Sequence, residues 1–351
     1  MMKAFMVDRY GSKDGVRAGD MPAPELREDD VLVQIHAAGV NLLDAKIRDG
    51  EFKRFLPYRF PLILGNEVAG VVVRVGSRVR RFKPGDEVYA RPDDDRIGAF
   101  AEFIAIQEDA VAKKPKNLTM EEAASIPLVG LTAWQVLVER AKLSAGQKVL
   151  IHAGSGGVGT VAIQLAKYLG ATVATTTSTA NLEWVKRLGA DIVIDYRKDD
   201  FEKILHDYDV VLNSLGAETL EKSLRVLKPG GKLISISGPP DPDFAKDRGL
   251  SWIVRLAMRL LSYRIRNKAK RHHVSYSFLF MRASGEQLRE IGSLIESGII
   301  RPVVDRVFPF AETKEALAYV ETGRAKGKVV VKVREKWTQH PVSTTRLRCV
   351  G

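Results

Sequence analysis

One cysteine, Cys349, is all the thiol chemistry available in 351 residues, and it stands almost at the C-terminus. That excludes a disulfide framework and any cysteine-built structural zinc site, and it points to a reducing compartment such as the cytoplasm. The sequence also lacks an apolar run of the roughly 18 residues that a membrane-crossing helix needs. No repeat period is visible. The opening MMKAFMVDRYG already alternates like a strand, so no secretory signal is expected there. No G-x-S-x-G or other serine-histidine-acid pattern occurs, which leaves hydrolysis without support. The six histidines form no ligand cluster: His36 and His152 fall in strand patterns, and His272 and His273 in a basic stretch.

Negative charge is missing from one long stretch. Between Arg248 and Gly285 there are nine basic residues and no acidic one, and the segment from Arg334 onward adds a net charge of +3. These two segments account for the whole net charge of +12, so the rest of the chain is formally neutral. Charge placed this way argues against a nucleic-acid partner as a general reading. Read as one helix, residues 252–271 put Arg255, Arg259, Ser262 and Arg266 on one face and Trp252, Ile253, Leu256 and Leu260 on another. Three roles fit such a basic amphipathic helix: a lid or dimer element over an active site, an interfacial membrane-surface helix, or a nucleic-acid patch. The tail 335–351 has little hydrophobic pattern and reads as mobile or packed on a neighbour.

What is present is a change of texture along the chain. At 45% hydrophobic content the chain can bury a substantial core, and its length exceeds the roughly 150 residues of one domain, so two domains are expected. DVLVQIHAAGVN, EVAGVVVRVGSRV and GAFAEFIAI alternate in the manner of strands, with turns at KPGD. This part reads as an all-β, barrel-like module. After EEAASIPLVGLTAWQVLVERAKL the pattern becomes short apolar strands (KVLI, ATVATTT, DIVID, DVVLN, KLISIS) separated by helical segments. That alternation predicts a doubly wound parallel sheet.

Gly154, Gly156 and Gly159, with Ser155, Gly157 and Val158 between them, form G-x-G-x-x-G directly after a strand and at the start of a helix. That context is what the dinucleotide fingerprint requires. The glycines let the backbone approach a pyrophosphate, whose charge meets the free amides of the helix N-terminus. At the end of the next strand, where a carboxylate would hold an adenosine 2′-hydroxyl, stand Ser178, Thr179 and Asn181. No acidic residue follows until Glu183, and Tyr196 and Arg197 come after the third strand, a pattern that points to NADPH rather than NADH. Ser178 and Thr179 also suit a helix cap.

LGNEVAGVVVRVGSRVRRFKPGDEV, GLTAWQVL, AGSGGVGTVAIQLAKYLGA and GRAKGKVVVKV together resemble the zinc-free medium-chain dehydrogenase/reductase superfamily, in its quinone oxidoreductase and enone reductase branch. The segment from Val274 to Lys328 is similar to the mitochondrial reticulon-interacting oxidoreductase and its bacterial relatives. The resemblance covers essentially residues 1–334. It implies a Rossmann-type domain at 126–281, with a basic insertion at about 248–272, and a GroES-like β-barrel catalytic domain formed by 1–125 and 282–334. Where zinc enzymes of the superfamily place cysteine and histidine, this chain has Asn41 and Asn66, neither of which is a zinc ligand of the usual kind. The resemblance puts Asn41 and Asp44 at the nicotinamide and substrate mouth. Lys46 takes a place where tyrosine is frequent, either to polarise a carbonyl or relay a proton, or as a solvated surface lysine. Asn213, Ser214, Ser235 and Ser237 would flank the nicotinamide half, Phe278 to Phe280 would form the loop at the carboxamide, and Lys328 would present a basic contact. The implied activity is metal-independent hydride transfer from NADPH to a quinone. The alternatives are reduction of an enone or alkenal and, in another class, an adaptor on membrane or RNA that binds NADPH. A homodimer, with peripheral membrane contact through 252–271, is the expected assembly.

Overall fold

The computed structural model describes residues 1–11 and 15–334, so the tail 335–351 lies outside the described residues. The alternating stretch from Asp30 to Val40 becomes a single strand of 11 residues, longer than the short strands its pattern suggests. Both of its faces are covered: Val31, Val33, Ile35, Ala37 and Ala38 are all fully buried. It is the spine of a seven-stranded sheet, pairing antiparallel with Val68–Val75, Phe103–Gln107 and Lys328–Lys332. The last pairing sets Val329 opposite Val40 and so brings Lys328 next to Asn41, a contact between opposite ends of the chain. A three-stranded sheet of Met2–Val7, Arg17–Met21 and Leu62–Ile63 packs beside it.

The second half is a six-stranded parallel sheet in the order Ile192–Asp195, Thr172–Thr177, Lys148–Ile151, Tyr208–Asn213, Leu227–Ser235, Ser275–Phe278. From Lys148–Ile151 the chain moves first to one neighbour and later to the other. The crevice at that switch point, beyond the carboxyl ends of the strands, is where open α/β sheets hold their ligands. The helix Gly157–Tyr168 buries Val161, Ala162, Leu165 and Ala166 on the sheet and stops before Gly170, which takes the left-handed conformation at φ +80°.

The basic segment corrects the expectation of one helix. It is two, Trp252–Leu261 and Tyr263–Arg271, broken at Ser262. Ser262 is fully buried rather than on a basic face, and its hydroxyl donates to the Met258 carbonyl at 2.7 Å, a bond that bends helices. The second helix packs conventionally, with Ile265 and Ala269 in the same core as Leu224 and Leu233. The first leaves Trp252, Ile253, Leu256 and Leu260 outside.

Candidate active site

The strand Lys148–Ile151 delivers the glycine loop to the carboxyl edge of the parallel sheet, and its three glycines do different steric work. A Cβ on Gly154 would lie 2.1 Å from Thr175 Oγ1, and one on Gly159 would lie 2.4 Å from the Ala153 carbonyl. These two positions hold the loop tight against strand and helix. A Cβ on Gly156 would meet only the Ala153 carbonyl, at 3.3 Å, and otherwise project into open space. That space, beside the first amides of a 12-residue helix, fits a pyrophosphate. The Gly327 amide donates to the Ser155 carbonyl at 2.8 Å, tying the loop to the barrel-like half.

Between the halves lies a cleft of about 850 Å³. Gly156, Gly157, Val158, Gly159, Ser214 and Ser237 line it from the sheet, and Asn41, Lys46 and Lys328 from the other side. Phe278 and Phe280 line it too, joined by Phe52, Phe55, Thr132 and Met258. Gly154, Asn213 and Ser235 do not line it. The Asn213 amide donates to Ser235 Oγ at 3.2 Å and to the Leu215 carbonyl at 2.9 Å, so this buried pair shapes the floor from beneath. The Phe278 amide is taken by the Asp241 carboxylate at 2.9 Å.

Ser178, Thr179, Asn181 and Tyr196 sit away from this cleft, at the ends of the edge strand Ile192–Asp195 and its neighbour Thr172–Thr177. Asn181 donates to Ser178 Oγ at 3.1 Å and accepts from the Trp184 indole at 3.0 Å. Thr179 donates to Asp195 at 2.6 Å. That hydroxyl, more than any other neighbour, holds the Asp195 carboxyl below its ordinary range. Asp195 is an acid that sequence reasoning passed over, because it closes the third strand rather than the second. Tyr196 and Arg197 beside it are exposed.

The polar heart of the cleft is buried. Lys328 Nζ, on a side chain only 5% exposed, donates to Asn41 Oδ1 at 2.5 Å, Glu67 Oε1 at 2.6 Å and the Val40 carbonyl at 3.2 Å. Its three protons have three acceptors. Glu67 also accepts from the Asn41 amide at 2.8 Å and the Leu128 backbone at 2.7 Å. Asp44 accepts from the Asn41 backbone at 2.7 Å and from Asn66 Nδ2 at 2.6 Å. Asp44 does not line the cleft, and it acts by holding Asn41 and Asn66 in place. Burial raises its pKa to about 6, against the lowering pull of Asn66, the Asn41 amide and Lys328. Glu67 was legible only as a neighbour of Asn66 in LGNEVAG; its role depends on Lys328, 261 positions along the chain. Lys46, at the cleft edge, pairs with Glu51 at 3.3 Å.

The alcohol dehydrogenase GroES-like domain model matches residues 27–116, and the zinc-binding dehydrogenase model matches 188–331. The NAD(P)H oxidoreductase RTN4IP1, mitochondrial, of Danio rerio is 37% identical over 358 residues, spanning 95% of this chain and 92% of that protein. The chain belongs to the medium-chain dehydrogenase/reductase superfamily. Within this superfamily it is an oxidoreductase of the quinone-oxidoreductase-like branch. The NADPH-dependent alkenal/one oxidoreductase, chloroplastic, of Arabidopsis thaliana is 38% identical over 341 residues, covering 94% of this chain and 79% of that one. The quinone oxidoreductase of Coxiella burnetii superposes with a TM-score of 0.81 at 33% identity, over 95% of this chain and 99% of that one. The second family model carries zinc in its description, but the residues here do not fit the metal. The Asn41 amide is held between Glu67 and the Lys328 ammonium, and Asn66 is held on Asp44. A cation at Asn41 would face the ammonium at hydrogen-bond distance. Among the described residues no group of three or more His, Cys, Asp or Glu is placed to hold a metal ion.

Proposed function

We propose that the chain is an NADPH-dependent reductase of quinones, with its acceptor bound in the cleft between residues 1–125 with 282–334 and residues 126–281. The observation that carries this reading is the meeting of a glycine loop, open at Gly156, with an apolar chamber that has few polar groups. NADPH, when bound, supplies the hydride. Gly156 lets its phosphates approach the helix Gly157–Tyr168, and Arg197 and Tyr196 meet the 2′-phosphate beyond Ser178, Thr179 and Asn181. The buried network of Lys328, Glu67 and Asp44 fixes the Asn41 side chain against the cleft. Lys46 stabilises charge that develops on the acceptor oxygen and passes a proton from the solvent side, where Glu51 holds it. Phe52, Phe55 and Phe280 exclude water from the acceptor.

Reduction of an enone or alkenal is the second reading, favoured by the name and identity of the plant relative. It uses the same cleft and the same hydride source. The test is NADPH consumption with a panel of quinones and enones. Turnover of quinones at higher kcat/KM supports the first reading, and enones far ahead of every quinone replace it with the second. Ser275–Phe278 is a free edge of the parallel sheet, which supports the homodimer reading, since a second copy would continue the sheet there. No helix among the described residues is long and apolar enough to cross a membrane. The reading places the protein in a reducing compartment such as the cytoplasm, against a membrane through 252–271.

A further inference from the structure

The helix Trp252–Leu261 presents an apolar surface in two directions at once. Val254, Ala257, Met258 and Leu261 line the acceptor cleft. Trp252, Leu256 and Leu260 point away from it and are 74%, 48% and 69% exposed. Ile253 and Leu261, also largely exposed, join the two faces at the cleft rim. At the helical period the apolar arc covers about 240° of the circumference, and Arg255 and Arg259 fill the remainder. A helix that is apolar almost all round belongs in an apolar environment, and this one has such an environment on its inner side only.

Residues 252–271 themselves carry charge of one sign, and the neighbouring acids Asp247 and Glu221 are paired with Arg140 and Lys268. Arg255, Arg259, Arg264, Arg266, Lys270 and Arg271 have no ion-pair partner among the described residues. Arg54, on the opposite wall of the cleft beside Phe52 and Phe55, has none either. The segment's other end is anchored: Arg248 pairs with Asp94 and packs over Phe244 and Phe280.

We propose that this helix seats the mouth of the cleft on an anionic lipid surface, so that a quinone with a long hydrocarbon tail passes from the bilayer between the helix and Phe52 and Phe55. The exposed side chains enter the acyl boundary, and the unpaired arginines and lysines meet lipid phosphates. A protein partner over the same patch would seal the cleft, because Ile253 and Leu261 belong to both surfaces. A lipid surface leaves the mouth open to molecules dissolved in it. The substrate class rests on the quinone reading above; the seating does not. The reaction is unchanged: one hydride from NADPH and one proton from water convert quinone to hydroquinone and leave NADP⁺.

The experiment uses the full chain with vesicles of phosphatidylcholine alone or mixed with phosphatidylglycerol. Wild type should sediment with the mixed vesicles at least about tenfold better than with the neutral ones, and the binding should fall as salt screens it. Acyl-brominated lipid should quench a tryptophan signal that is absent from Trp252→Phe. Leu256→Asp/Leu260→Asp and Arg255→Glu/Arg259→Glu alter side chains outside the cleft. Both should keep turnover of a tail-less soluble quinone within about twofold, and lose vesicle binding and at least about tenfold in turnover of a long-tailed quinone carried in vesicles. Absence of wild-type binding and quenching overturns the proposal. So does equal turnover of vesicle-borne quinone by wild type and variants. If wild type never binds vesicles and the arginine variant loses soluble turnover, the helix is a lid or dimer element. If binding and quenching follow the variants as expected but no quinone is reduced, the seating stands and the quinone reading falls.

Discussion

Lys328 and Glu67 form an ion pair at 2.6 Å, with side chains 5% and 0% exposed, on the cleft wall that carries Asn41. Removing one partner of such a pair leaves a buried charge without an answer. Glu67→Gln and Lys328→Met should each destabilise by about 3–5 kcal/mol. The double variant Glu67→Gln/Lys328→Met should cost clearly less than the sum, because neither charge remains to be stranded. Urea denaturation of the three proteins measures this. Additive losses would mean that the pair is not coupled.

The buried Asp44 makes stability depend on pH. Its pKa is raised by folding from the ordinary carboxylate value to about 6, so the folded state holds a proton that the unfolded state has released. Stability from this group is full below about pH 4 and is lost as pH rises through about 6. Asp44→Asn should therefore flatten the stability profile between pH 4 and 6, by an amount on the order of 2–3 kcal/mol. An unchanged slope in Asp44→Asn would refute the assignment.

Gly156→Val separates folding from binding. Gly156 has ordinary backbone angles, φ −85° and ψ 170°, and a Cβ there would meet only the Ala153 carbonyl, at 3.3 Å, so the variant should melt within a few degrees of wild type. Its side chain would occupy the room of the pyrophosphate, and binding of NADPH and NADH alike should vanish in a fluorescence titration. Gly159→Val should instead fail to fold stably, since its Cβ would run into the loop backbone.

At the far end of the nucleotide site, Arg197→Glu sets a carboxylate beside Asp195. NADPH affinity should fall at least about tenfold, which is about 1.4 kcal/mol, with much less effect on NADH. Equal losses for both nucleotides would place the 2′-phosphate elsewhere.

Asn41 and Asn66 serve carboxylates rather than a metal, so activity should survive exhaustive chelation and elemental analysis should find no stoichiometric zinc. One zinc per chain, with activity lost on its removal, would overturn that account.

The glycine loop and the parallel sheet were legible because their signals are local. KVLI before Gly154 and the periodic VAIQLAKY after Gly159 lie within one strand-turn-helix unit, and the strand and helix form there. The polar network was only half legible. Asn41 and Asn66 are conspicuous as absent metal ligands, but Asn66 is held by Asp44, and what holds the Asn41 side chain comes from Glu67 and Lys328, and no period or spacing links residues 261 apart. The break at Ser262 was hidden for another reason. The pattern of 252–271 suits one helix, and what divides it is a serine hydroxyl turning back onto a carbonyl under the burial of the second helix. Asn213 and Ser235 were placed at the right strand ends, but alternation alone does not tell a side chain facing the ligand from one bonded beneath the floor.

The central claim is hydride transfer from NADPH to a quinone in the cleft between the two halves. Steady-state NADPH oxidation by metal-free protein, with matched panels of quinones, enones and alkenals, tests it most directly. The account predicts turnover of quinones with the highest kcat/KM, favouring NADPH over NADH and lost in Gly156→Val. Tight NADPH binding without turnover of any acceptor would contradict it.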